Sequence, residues 1–143
     1  MTSTVIRRAT RDDVGAIVAM LADDPLGAGR EDPADTHVYD AAYDRVVADP
    51  GQHLVVAERD GAVVGTLQLS VIPGLSRRGA TRTIIEGVRV ADGERGSGLG
   101  TELVTWAVDE SRRLGASLVQ LTSDASRTDA RRFYGRHGVV AAH

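Results

Sequence analysis

The chain has 143 residues, 42% of them hydrophobic and 26% charged, with a net charge of −3 and no cysteine. That length supports one domain with its own core, here taken as residues 1–143, and the composition is that of an ordinary globular protein. No apolar run approaches a membrane span, no apolar N-terminal segment marks export, and disulfides, thiolate metal sites and cysteine nucleophiles are excluded.

Residues 4 to 9 read as a first strand. Thr10-Arg11-Asp12-Asp13 is a capping box that opens a helix with Val14, Ile17, Val18 and Leu21 on its apolar face. Asp24-Pro25 and the glycines at 27 and 29 end it, and residues 25 to 36 form an acidic loop. Tyr39 to Ala48 reads as a second helix. His53 to Arg59 and Ala62 to Val71 are β-rich runs separated by Asp60-Gly61, a strong hairpin signal. Pro73-Gly74 breaks the second run. Leu75 to Arg82 is a basic loop carrying Arg77, Arg78 and Arg82, either a solvated connector or part of a cleft wall.

Thr83 to Val90 is the next strand. A helix from Leu99 to Leu114 follows, with Leu99, Leu103, Trp106, Ala107 and Leu114 on its buried side and Gly115 as its stop. Leu118 to Thr122 is a buried strand, Thr128 to His137 a helix, and Val139 to Ala142 a last strand. The order β-α-α-β-β-β-α-β-α-β predicts an α/β domain with a mixed sheet of about six strands and about four helices. Its early strands pair antiparallel, and the strand-helix-strand unit around residues 91–99 is parallel. All 17 basic residues are arginine and lie among the acids, without the basic stripe of a nucleic-acid binder. His37, His53, His137 and His143 show no metal-ligand spacing, and no metal is expected.

The segment Arg95-Gly96-Ser97-Gly98-Leu99-Gly100-Thr101 joins that strand to that helix. Alternate glycines leave its backbone N–H groups unshielded and permit the positive φ that turns them to one point. The helix dipole aims its positive end there too. This is a device for phosphates. The spacing fits neither a P-loop, which needs a following lysine, nor a dinucleotide fold, which needs Gly-x-Gly-x-x-Gly and an acid about 20 residues on. Asp124, the nearest acid, precedes a different motif.

The pattern Arg95-x-x-Gly98-x-Gly100 resembles the pyrophosphate loop of the GNAT superfamily, the acyl-CoA-dependent N-acyltransferases. Downstream, Arg127-Thr128-Asp129-Ala130-Arg131-Arg132-Phe133-Tyr134-Gly135-Arg136-His137-Gly138-Val139 is similar to the superfamily's C-terminal signature, Ala-x-x-Phe-Tyr closed by Gly and an apolar residue. The opening Val5-Ile6-Arg7-Arg8-Ala9-Thr10 followed by a helix also matches, so the resemblance covers nearly the whole chain. It implies the acyl-CoA N-acyltransferase fold, with a sheet splayed at its centre, and acetyl-CoA as co-substrate.

The resemblance also implies roles. The pantetheine arm pairs with the backbone of Val88 and Val90, using the free strand edge left by the splay. The pyrophosphate falls on the loop Gly96, Ser97, Gly98, Leu99, Gly100 and Thr101, with Arg95 as countercharge. Glu86, within an apolar strand, is the candidate general base, partly desolvated and so raised in pKa. The other reading is a glutamate facing solvent at a sheet edge. Tyr134 is the candidate general acid toward the leaving thiolate, or else a core tyrosine bonded to backbone.

Two departures stand out. Arg127 occupies a position where many members carry a pantetheine-contacting asparagine, so it contacts a phosphate or solvent instead. Only five residues follow Gly138, so the family's last strand is expected to be missing, which predicts either a homodimer that completes the sheet, the favoured branch, or a disordered, open C-terminal edge with weak acceptor binding. Glu31, Asp32, Asp35 and Asp40 are either an attractor for a cationic amine or a solvated loop. The expected activity is acetyl transfer to the amine of a small molecule or an exposed peptide amino group, in the cytoplasm, with no nucleic-acid or membrane partner. The alternative is a non-catalytic acyl-CoA-binding sensor of the same fold.

Overall fold

A computed structural model describes residues 3–25, 27–122 and 139–142, the last segment by its backbone. Strand β1 (Thr4–Arg8) leads through a 3₁₀ turn (Arg11–Asp13) into helix α1 (Val14–Ala22). The Asp13 carboxylate accepts the Thr10 backbone N–H at 2.7 Å and its hydroxyl at 3.1 Å, so the expected capping pair forms. Ile17, Val18 and Met20 are the buried residues of α1; Val14 and Leu21, expected on that face, are half-buried.

The acidic loop expected over residues 25–36 contains a single helical turn, α2 (Gly27–Arg30), whose Gly27 amide donates to Asp24 Oδ1 at 2.6 Å. Helix α3 (Thr36–Ala48) starts three residues before its expected position, because Asp35 caps it by accepting the Val38 N–H.

Strands β2 (Gln52–Arg59) and β3 (Ala62–Pro73) form the expected hairpin. Asp60 and Gly61 both take positive φ, 52° and 79°, as the two-residue turn requires. The basic loop holds one short turn, α4 (Ser76–Gly79), in which Arg77 and Arg78 have left-handed backbone, φ 53° and 63°. Then come β4 (Thr81–Val90), α5 (Leu99–Arg113), β5 (Leu118–Thr122) and β6 (Val139–Ala142). Gly115, φ 88°, ends α5 as its sequence suggests. The helix expected at Thr128–His137, with Arg127, Phe133 and Tyr134, lies outside the described residues.

The six strands lie in the order β1-β2-β3-β4-β5-β6, antiparallel up to β4 and parallel from β4 through β6. α5 covers one face. Its Leu99, Leu103, Val104, Ala107 and Val108 pack against Val55, Leu67, Leu69, Ile85, Val119 and Leu121. Trp106 and Leu114, expected on the buried side, are only partly buried at the margin of that cluster. Ser111 is fully buried, donating to Ala107 O at 2.7 Å and sharing a 2.8 Å hydrogen bond with Thr83 Oγ1. Helix α1 packs on β3 and β4 from the opposite face.

Candidate acyl-donor cleft and active site

The sheet opens between β4 and β5. Their pairing joins Arg82–Ile85 to Leu118–Leu121 and stops there. β4 runs on through Glu86 to Val90, and among the described residues that stretch is paired with β3 alone. Within it, the register with β3 slips between Thr66 and Gln68, so Gly87 and Val88 share one partner position at Leu67. Gly87 has φ 66° at this bulge. The result is a strand edge that carries Val88 and Val90 and has no β5 partner among the described residues. One of its acceptors is engaged, since Val88 O takes a 2.9 Å hydrogen bond from Arg89 Nη1. Arg89 is also ion-paired to Asp24 at 2.8 Å, which ties the strand to the start of α2.

Beyond β4 the chain makes a 3₁₀ turn (Asp92–Glu94) and enters α5 through the glycine segment. Gly96 and Gly98 have φ 84° and 88°, and Gly98 is the N-cap of α5. A Cβ at either would meet no atom within 4 Å, so the backbone angle, not space, calls for glycine here. Arg95 N–H and Ser97 N–H are bonded within the turn, to Asp92 O and Glu94 O. The amides of Gly96, Gly98, Leu99, Gly100 and Thr101 have no acceptor among the described residues. Five donors without acceptors among the described residues thus lie at or just before the positive end of a 15-residue helix.

Arg95, expected as a countercharge to phosphate, is exposed and lies against acids. Its Nη1 is 3.0 Å from Asp92 Oδ1, and its Nη2 is 3.3 Å from Asp23 O and 3.5 Å from Asp23 Oδ2. Sequence reading missed a second arginine. Arg59, at the end of β2, donates to Thr4 Oγ1, to Glu94 Oε2 and Ser97 Oγ, and to Glu102 Oε1. No local motif marks it, because its partners Glu94 and Glu102 lie 35 and 43 residues away.

Glu86 leaves β4 on the face opposite α5 and is exposed. The partial burial expected from its apolar neighbours is therefore not found: strand alternation sends Thr83 and Ile85 into the core and Glu86 out of it. Its carboxyl is 3.4 Å from the hydroxyl of buried Ser70. Ser70 also donates to Gln52 Oε1 at 2.9 Å, and Gln68 Nε2 donates to the same oxygen at 2.7 Å. The acids of residues 31–40 have structural partners. Tyr39 donates to Glu31 at 2.8 Å and accepts the Asp32 N–H, Asp35 caps α3, and Asp40 faces Arg11 at 3.8 Å. A cavity of about 510 Å³ lies between α1 and the end of β4, lined by Ala19, Met20, Asp23, Pro33, Ala91 and Asp92 among others.

A mixed sheet that opens between β4 and β5, with a glycine turn of unpaired amides leading into α5 at the opening, is the architecture of an acyl-CoA transferase. The model of the Acetyltransferase (GNAT) family matches residues 14–139, and the chain belongs to that family. It is an acetyl-CoA-dependent N-acetyltransferase. It is 30% identical over 138 residues to the aminoalkylphosphonate N-acetyltransferase of Salmonella typhimurium, covering 96% of this chain and 86% of that one. A transcriptional regulator from Bacillus halodurans superposes with a TM-score of 0.91 at 40% identity, covering 99% of this chain and 95% of the other. A Clostridium acetobutylicum protein described as a "predicted acetyltransferase with acetyl-CoA" has the same fold, at TM-score 0.72 and 17% identity, covering 93% and 89% of the two chains. Among the described residues no helix is long and apolar enough to cross a membrane, and no group of three or more His, Cys, Asp or Glu side chains could hold a metal ion.

Proposed function

We propose that the protein acetylates the primary amine of a small molecule, with aminoalkylphosphonates as the first acceptor class to examine. The observation that carries the reading is the set of amides of Gly96, Gly98, Leu99, Gly100 and Thr101, without acceptors among the described residues, beside the stretch of β4 that does not pair with β5. Those amides receive the donor's pyrophosphate, and the backbone of Val88 and Val90 receives its pantetheine arm. Arg95 exchanges an acid partner for a phosphate, and Arg127 supplements it. Glu86 takes the proton from the attacking amine. The amine nitrogen bonds to the acetyl carbon, the carbon–sulfur bond breaks, and Tyr134 supplies the proton that leaves with the thiol. The acceptor class comes from the Salmonella relative, which is similar over nearly the whole chain. In this reading residues 1–143 form one catalytic domain that works in the cytoplasm. A second copy lies along β6, which borders only β5 among the described residues.

A second reading is a sensor that holds acyl-CoA without turnover. The similarity to a protein described as a transcriptional regulator favours it. One experiment separates the two: release of CoA thiol from acetyl-CoA in the presence of aminoalkylphosphonates, neutral alkylamines and a peptide with a free N-terminus, with products identified by mass spectrometry. Amine-dependent thiol release with an acetylated product supports the enzyme. Acetyl-CoA binding without turnover on any amine supports the sensor.

A further inference from the structure

Among the described residues, Arg59 is the one side chain whose hydrogen bonds join β1, β2, the turn before the glycine segment and the first turn of α5. Its Nε donates to Thr4 Oγ1 at 2.7 Å. Its Nη1 donates to Glu94 Oε2 at 2.9 Å and Ser97 Oγ at 3.1 Å, and its Nη2 to Glu102 Oε1 at 2.9 Å. Its side chain is only 12% exposed, so these bonds are made largely out of water, where charge-assisted bonds count most. Ser97 in turn donates to Glu94 O at 2.6 Å. The turn carrying Gly96 and Gly98 is thus held at Glu94 and Ser97, while the amides of both glycines have no acceptor among the described residues.

The cluster has a second consequence. Glu94 and Glu102 bracket the stretch of chain that offers amides to an anion, and two carboxylates there repel the polyanionic end of an acyl-CoA. Arg59 bonds both. Removing it loosens the turn and uncovers that repulsion together.

The geometry points to Arg59 as a positioning residue for the acyl donor: it holds the Glu94–Gly98 turn in its amide-presenting form and neutralises the two glutamates beside it. This inference rests on the reading that those amides take the donor's pyrophosphate. It goes beyond that reading in assigning recognition to a residue outside the glycine segment, acting through it.

The test compares two donors, acetyl-CoA and S-acetylpantetheine, which lacks the pyrophosphate and nucleotide, with the parent, Arg59→Gln and Arg59→Lys. In Arg59→Gln the KM for acetyl-CoA is expected to rise by about tenfold or more, as for loss of one to two charge-assisted bonds. kcat should change little, and kcat/KM for S-acetylpantetheine should stay within about twofold; that second activity also reports that the variant folds. Arg59→Lys keeps the charge without the fork and should fall between. Adding Glu94→Gln and Glu102→Gln to Arg59→Gln should recover part of the loss by removing the uncovered charge. An unchanged acetyl-CoA KM in both variants overturns the proposal, as does an equal loss with both donors. If the parent itself uses the two donors with equal KM, the pyrophosphate reading fails, and that result is distinct from a failure of Arg59.

Discussion

The guanidinium of Arg7 holds the carboxylate of Asp13 by two hydrogen bonds, Nη1 to Oδ2 at 2.7 Å and Nη2 to Oδ1 at 3.2 Å. The same carboxylate closes the cap of Thr10, so one buried acid joins β1 to the entry of α1. These bonds, the one from Arg7 first, hold its pKa at about 2, below its ordinary 3.8. A carboxyl depressed in the folded state contributes stability that is complete above its unfolded pKa and is lost as pH falls toward the folded value. At neutral pH that contribution is about 2 kcal/mol. Asp13→Asn should therefore lose about 2 kcal/mol near pH 7 and show a flatter decline between about pH 4 and pH 2. Urea denaturation across that range measures both, and parallel curves for variant and parent would contradict the assignment.

His53 sets a second pH dependence, higher on the scale. It is buried on β2, with Arg8 Nη2 at 2.6 Å from its Nδ1. Burial first, and the positive charge of Arg8 next, lower its pKa below the usual 6.5. The unfolded chain therefore takes up the proton more readily than the folded one. Stability is full above about pH 6.5 and declines as pH falls below it. His53→Gln should remove that decline. Denaturation midpoints at about pH 7.5 and about pH 5.5 should differ less in the variant than in the parent; an equal difference in both would place the titration elsewhere.

Acetyl-CoA should raise the melting temperature of the parent, since binding only the folded state at about 100 times the dissociation constant contributes roughly 2.7 kcal/mol. Gly98→Asp should abolish that rise. It forces a side chain into φ 88° and sets a carboxylate at the proposed pyrophosphate position, although the protein itself leaves room for a Cβ. A variant that keeps the full thermal shift would remove the glycine segment from donor binding.

Glu86→Gln should lower turnover by about 10²-fold or more, within the span of general acid–base effects, and flatten the acidic limb of the pH–rate profile. Because Glu86 is exposed, the folded state should be unaffected, and an unchanged melting temperature checks this. A persisting acidic limb with the same midpoint would assign the base elsewhere.

Tyr134→Phe should slow turnover over a similar span, about 10²–10⁴-fold, while acetyl-CoA binding is retained. Single-turnover kinetics, in which chemistry limits the rate, make the comparison; equal rates would take the hydroxyl out of the reaction.

The elements that the sequence reveals are those governed by neighbours in the chain. Asp60-Gly61 makes its turn, Thr10 and Asp13 make their cap, and Leu118–Thr122 is a strand at its expected bounds, because each needs only local backbone chemistry. The glycine segment is legible for the same reason. α2 escaped notice because a four-residue turn with two glycines has no periodicity to detect. The left-handed pair Arg77 and Arg78 escaped because nothing in an arginine side chain asks for positive φ. At the site, alternation along β4 says which face Glu86 occupies but not what covers that face. Arg59 is invisible locally, since its role depends on β2 and α5 being brought together by the sheet.

The opening of the sheet beyond Ile85 has an evolutionary consequence. What it offers to a bound molecule is main chain: amides on a turn and the rim of a strand. Main-chain groups are the same whatever side chain is encoded, so most codon changes along the rim leave them in place, and only the backbone angles at positions such as Gly96 and Gly98 are constrained. The surfaces of α1, α2 and α3 present side chains instead, and these can drift without disturbing the main-chain groups along that rim. Side-chain divergence around a constant main-chain rim is the inheritance such an architecture permits.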